Sequence, residues 1–116
     1  MNARVFVCTE PITYRDGQPE PMFDVSPALQ YGSLEILTRH NQSMFISVPM
    51  VRSIREKLKD FNDNDFILPV GDPVTIGAVC AIAADINGGY YKILKWDKKQ
   101  RKYLPIEIQV WGEQLN

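Results

Sequence analysis

Between Phe66 and Trp96 the chain reads FILPVGDPVTIGAVCAIAADINGGYYKILKW, and its hydrophobic pattern changes twice. Phe66–Val70 is a short apolar run that suits a strand. Gly71 breaks the run, Asp72 is a helix-capping residue, and Pro73 fits the first helical position, where a missing N–H does no harm. No charged residue occurs from Pro73 to Ala84. Asn87-Gly88-Gly89 then offers residues that tolerate left-handed backbone angles and stop the helix. Tyr90–Trp96 reads as a second strand. This order predicts a β-α-β unit with parallel strands and a right-handed crossover.

A second helix is expected upstream, over Met50–Phe61, with Ser47 or Val48 at its cap and Pro49 near its first position. Val51, Ile54, Leu58 and Phe61 make one apolar stripe, and Arg52, Arg55, Glu56, Lys57 and Lys59 fill the opposite side. The downstream helix differs, because it is small and apolar all round. That pattern predicts cover on more than one side, and in a short chain another subunit is one source of it.

The flanking segments are strand-like. Arg4–Cys8 suits a first strand. Thr9–Ser26 holds Pro11, Pro19, Pro21 and Asp16-Gly17, a loop region with a hairpin turned at Arg15–Gln18. Pro27–Tyr31 suits a helical turn, Ser33–Thr38 a strand, and Met44–Ile46 a short strand after a polar turn at Arg39–Ser43. At the end, Asp97–Gln100 is a polar turn. Ile106, Ile108 and Val110 then alternate with Glu107 and Gln109, completing a C-terminal β-hairpin. Pro105 lacks a ladder donor and assigns that strand to an edge or a bulge. Gly112–Asn116 is a polar tail. The expected fold is one α/β domain spanning residues 1–116: a mixed β-sheet of about five strands, two main helices and the hairpin.

Composition narrows the function classes. The chain has 116 residues, enough to bury a core without staples, and its 45% hydrophobic and 23% charged content is that of an ordinary globular domain. A formal net charge of −1 argues against both a strongly basic nucleic-acid binder and an acidic mimic of DNA. No apolar run is long enough to span a membrane, and MNARVFVCTE lacks the layout of a secretory signal, so a cytoplasmic location is expected. Cys8 and Cys80 fit no zinc spacing and read as buried free thiols. The lone histidine, His40, has no partner for a triad or a metal site. Asp63, Asn64 and Asp65 lack the calcium-loop pattern. No enzymatic activity, cofactor or bound metal is expected.

Two places carry candidate chemistry. Gly71, Asp72 and Thr75 lie where a strand opens into a helix, a position whose amides favour phosphate. The plain alternative is helix capping, since the glycine-rich dinucleotide fingerprint and the phosphate-loop lysine are absent and Asp72 brings its own negative charge. The second place is the basic hairpin. Lys92, Lys95, Lys98, Lys99, Arg101 and Lys102 are opposed only by Asp97, with Tyr91, Trp96 and Tyr103 interleaved. Lys95, Lys98, Lys99, Arg101 and Lys102 suit an acidic protein partner or, with the aromatics, nucleic acid. They also suit simple protection of an edge hairpin against aggregation, with the aromatics packed in the core. Glu10, Asp16, Glu20, Asp24 and Glu35 face only Arg4 and Arg15 in the first 37 residues, an asymmetry that fits a solvated loop, two subunits meeting head to tail, or acids that bind the hairpin within one molecule.

The run VGDPVTIGAVCAIAADINGGYYKILKWDKKQRKYLPIEI, with its Gly71-Asp72-Pro73 break, alanine-rich helix, Asn87-Gly88-Gly89 stop and Lys95-Trp96-Asp97 turn, resembles small uncharacterised proteins of tailed bacteriophages. The resemblance implies a phage protein at work in an infected bacterium and carries no site residues with it. The leading expectation is a non-enzymatic binding protein, forming a homodimer or other small homo-oligomer, that docks on a host or phage protein. A nucleotide- or phosphate-binding protein at Gly71–Thr75 and a nucleic-acid binder at the hairpin are the alternatives.

Overall fold

Every strand and helix expected within the described residues forms. The structure is a computed structural model and describes residues 2–21, 24–39 and 48–112. His40, the proposed strand Met44–Ile46, the Ser47 cap and most of the polar tail lie outside them. In chain order the elements are β1 (Arg4–Thr9), β2 (Ile12–Arg15), β3 (Gln18–Pro21), a 3-10 helix (Ser26–Tyr31), β4 (Ser33–Thr38), α1 (Val48–Lys57), β5 (Phe66–Leu68), α2 (Pro73–Ile86), β6 (Tyr90–Asp97) and β7 (Lys102–Gln109).

Five strands form one mixed sheet in the order β4-β1-β5-β6-β7, while β2 and β3 form a separate two-stranded sheet. β1 is parallel to both β4 and β5, β5 is parallel to β6, and β7 returns antiparallel to β6. The expected parallel pair and C-terminal hairpin are therefore present. β5 is shorter than the run Phe66–Val70, because Pro69 cannot donate to a ladder.

Alternation along β1 divides the core in two. Phe6 and Cys8 face α1 and α2, joining Leu37, Ile54, Leu58, Ile67, Val79 and Ile82. Val5 and Val7 face the other way, onto Ala28 of the 3-10 helix, with Leu68, Val70, Leu94 and Tyr103. Both helices thus lie on one face, and the second face is covered by the 3-10 helix. The α1 stripe is buried as expected at Ile54, Leu58 and Phe61. The regular helix ends at Lys57, and looser turns carry the backbone on, with Phe61 N–H donating to Leu58 O at 2.9 Å.

The all-round cover expected for α2 is absent within one chain. Val79, Ile82, Ala83 and Ala84 are buried, but Val74, Gly77 and Ala81 face outward. Its ends behave as the sequence implies. Asp72 caps the start. At the stop, Asn87 N–H donates to Ala83 O and Gly89 N–H to Ala84 O at 2.7 Å, a closure that the positive φ of Gly88 permits.

The outer edge of β7 is blunted. Val110 N–H donates to Gly89 O, which sets the alternation so that Tyr103, Pro105 and Glu107 turn their backbone groups outward. Pro105 has no N–H to present there, as its place at an edge requires. The outward carbonyl of Tyr103 accepts a 2.7 Å bond from the Tyr31 hydroxyl, which ties the 3-10 helix to the edge strand.

One ion pair anchors the opposite end of the sheet. Asp65 is 1% exposed, and Arg4 donates to it twice, from its backbone N–H and its guanidinium, each at 3.1 Å. Asn62 N–H adds a third bond at 3.0 Å, and the same guanidinium nitrogen reaches Asp60 O. The start of β1 is thereby locked to the turn after α1. Removing one partner of such a pair strands the other, so Asp65→Ala is expected to cost about 3 kcal/mol in urea unfolding. The surface pair Arg55–Asp85, although 2.8 Å long, joins two exposed side chains and is expected to contribute well under that.

Two tyrosines at the base of the hairpin set an alkaline limit. Burial, then a 3.0 Å bond to Glu107, pushes Tyr90 up to about 12. Burial, then the neighbouring Cys80, does the same for Tyr91. An unfolded tyrosine releases its proton near 10, so through that interval the unfolded chain binds fewer protons and stability falls as pH rises. Melting temperature is expected to be flat up to about pH 9 and to drop steadily from about pH 10, with tyrosinate absorbance lagging behind that of free tyrosine.

Candidate functional site

The carboxyl ends of the parallel strands bring together the two places singled out in the sequence. β1 runs out into the β2–β3 hairpin, β5 into Gly71-Asp72-Pro73, and β6 into the basic turn. The strand order reverses between β1 and β5, the position where open α/β sheets hold ligands.

Here that crevice is spanned by the protein's own bonds. Thr9 N–H donates to Val70 O at 3.0 Å and Glu10 N–H to Thr38 O at 2.9 Å. Thr38 Oγ1 donates to Cys8 O at 2.7 Å and lies 3.0 Å from Thr9 Oγ1. Gly71 sits at φ +113° against the Thr9 side chain, and any Cβ there would overlap Thr9 Cβ and Oγ1. Asp72 Oδ2 accepts from Thr75 N–H at 3.2 Å and lies 3.4 Å from Thr75 Oγ1, while Asp72 O accepts from Ile76 N–H. Thr75 is fully buried. Gly71, Asp72 and Thr75 therefore come together as a closed cap, with a carboxylate where an anion would sit.

The opening lies instead on the second face of the sheet. A groove of about 980 Å³ runs between the 3-10 helix and the β6–β7 hairpin. Leu68, Val70, Leu94 and Tyr103 form its floor, Asp24 and Pro27 stand on one side, and Lys95, Trp96 and Arg101 on the other. Trp96 meets Tyr103 edge to face at 4.9 Å between centroids. Tyr103 is buried, whereas Trp96 is 40% exposed and is not the core residue that its neighbours suggested. Burial, then the charge of Asp24, pushes the Tyr103 hydroxyl up, while bonds from Ser26 hold Asp24 below the usual carboxylate range.

Of the five candidate cations, Lys95 and Arg101 line the groove, and Lys98, Lys99 and Lys102 continue from it around the turn. All five are exposed and none forms an ion pair among the described residues. Asp97, the one acid within the run Lys95–Lys102, accepts at Oδ1 from Lys99 N–H at 2.9 Å and Gln100 N–H at 3.3 Å. Asp24 lines the same groove as Lys95 and Arg101 without forming an ion pair with either. The sequence marked Asp24 only as one of the N-terminal acids, and did not point to Pro27 or the groove floor. Their joint signal is long-range, since Pro27 and Trp96 are brought together only by the sheet.

A family model described as Phage Pam3 gp32-like protein matches residues 3–110. The chain belongs to the Phage Pam3 gp32-like protein family. No curated protein and no solved structure matches it. The Pam3 gp32-like region includes every strand of the sheet, the groove and the basic turn, so the phage origin implied by the C-terminal half extends to the whole domain.

One residue of this Pam3 gp32-like surface is held at a conformational cost. Arg101 closes the turn at φ +55°, its N–H donating to Asp97 O at 2.8 Å. Glycine adopts that angle without strain and a side chain does not. Arg101→Gly is expected to raise stability by about 1 kcal/mol in thermal or urea unfolding while removing a cation from the groove. A fall in stability would show that the guanidinium supports the hairpin.

Proposed function

We propose that this phage protein is a non-enzymatic docking module that works in the infected bacterial cytoplasm, where it binds a host or phage protein and alters its activity. The observation that carries the proposal is the groove itself. It has an apolar floor, a half-exposed tryptophan, and a rim on which Lys95 and Arg101 stand across from Asp24. A tryptophan and an arginine beside a desolvated floor are the residues that most often dominate a protein interface. The chemistry suits an acidic partner surface that inserts an apolar side chain between Trp96 and Pro27, with Lys95 and Arg101 steering the encounter.

The closed cap at Gly71-Asp72-Thr75 supports docking over a phosphate site, because its amide and hydroxyl are already engaged. The near-neutral net charge supports a protein partner over nucleic acid.

Affinity capture from bacterial lysate, with and without nuclease, tests the proposal. One defined protein is expected to be retained after nuclease treatment. It is expected to be lost both on reversal of Lys98, Lys99, Arg101 and Lys102 to Glu and, separately, in Trp96→Ser, with circular dichroism unchanged. Capture that vanishes with nuclease would assign the hairpin to nucleic acid. Capture that survives both variants would remove the groove and hairpin from the interface.

A further inference from the structure

The sheet sends out a second projection at the same end as the basic turn. β2 and β3 pair only with each other, through Ile12↔Pro21, Thr13↔Glu20, Tyr14↔Pro19 and Arg15↔Gln18. The turn residues Asp16 and Gly17 have φ of +52° and +79°, the signature of a tight two-residue hairpin. Tyr14 is 49% exposed, and every residue from Arg15 to Pro19 is exposed. A two-stranded hairpin with no core of its own is at best marginally stable in water.

This arm and the basic turn carry opposite charge. From Glu10 to Asp24 there are four acids, Glu10, Asp16, Glu20 and Asp24, against Arg15 alone. Arg15 lies 3.5 Å from Glu20 and Arg39 3.4 Å from Glu10, both as surface pairs that leave the arm net negative. From Lys95 to Lys102 there are five cations against Asp97 alone. No ion pair of the described residues joins the two lobes within one chain. Because β1 and β6 point the same way in the sheet, both lobes leave its carboxyl end.

We propose that the carboxyl end of the sheet is a self-complementary surface that binds a second copy of this chain. A two-fold axis at that end sets each acidic arm against the other copy's basic turn, so both lobes are satisfied at once and the assembly closes at two. Strand addition does not suit the outer edge of β3 or of β7. With Arg15 and Gln18 as the bonded pair beside the turn, Pro19 and Pro21 fall at the outward positions of β3, as Pro105 does on β7. The contact is therefore made by side chains, chiefly Asp16 and Glu20 against Lys98 and Lys99. It is independent of the groove floor, so Trp96→Ser leaves it intact.

Light scattering on the full-length chain tests this by charge exchange. The wild-type protein is expected at about twice the 13.3 kDa chain mass at micromolar concentration. At about 1 M salt, where the Debye length is about 3 Å, it is expected at the single-chain mass. Asp16→Lys/Glu20→Lys and Lys98→Glu/Lys99→Glu are each expected to be monomeric alone. An equimolar mixture is expected to recover the dimer mass, since only the mixed pair opposes unlike charges at both contacts. Asp16→Asn/Glu20→Gln, which keeps a turn-compatible residue at position 16, is expected to weaken the dimer in the same direction. A monomeric wild type, a dimer that persists in either reversed variant, or reversed variants that fail to recombine would each overturn the proposal.

Discussion

The handedness of the crossovers governs this molecule. A connection between parallel strands of one sheet is right-handed, so the direction of each step across the sheet decides which face the connection covers. The steps from β4 to β5 and from β5 to β6 go the same way, and α1 and α2 accordingly share a face. The step from β1 to β4 goes the other way, and its connection must cross the opposite face. That connection contains the β2–β3 arm and a six-residue 3-10 helix instead of a full helix. Six residues cover Val5, Val7 and their neighbours and touch β7 through the Tyr31–Tyr103 bond, but leave the surface between Pro27 and Trp96 open. The groove is the part of the second face left uncovered.

The same constraint explains why polar groups are concentrated where they are. Three parallel strands end together beside the switch in strand order, and their final backbone groups need partners. Thr9, Thr38 and the Asp72 cap supply them from within the chain. At the amino end, Asp65 performs the same service for β1 and for the turn after α1. The Asp72 cap thus sets a carboxylate at the switch point, while the exposed cations lie on the hairpin beside it.

Much of the fold was legible in the sequence because its signals are local. Asp72-Pro73 at one end and Asn87-Gly88-Gly89 at the other mark α2, and Asp16-Gly17 marks the arm's turn, without reference to anything distant. Ser33–Thr38 matches its strand at both ends. What was not legible depends on contacts far apart in the chain. The placement of β1 between β4 and β5 leaves no local trace. The demand on Gly71 comes from Thr9, more than sixty residues away, so the sequence showed a break but not its cause. The outer side of α2 is a different case: Val74, Gly77 and Ala81 face outward in the single chain, and an apolar pattern marks such a face without saying what covers it. Among the candidate site residues, the five cations were visible as a cluster. Their setting beside Trp96, Asp24 and Pro27 required the sheet.

The bond from Tyr31 to the carbonyl of Tyr103 has a mechanical consequence. Tyr103 is the second residue of β7, next to the turn, where a pull on the basic hairpin would begin to part β7 from β6 one rung at a time. The tyrosine hydroxyl clasps the strand at that first rung and leads the load into the 3-10 helix, and from there into β1 and β4 at the far side of the sheet. That single bond thus couples the edge strand to the element that packs on β1 and β4.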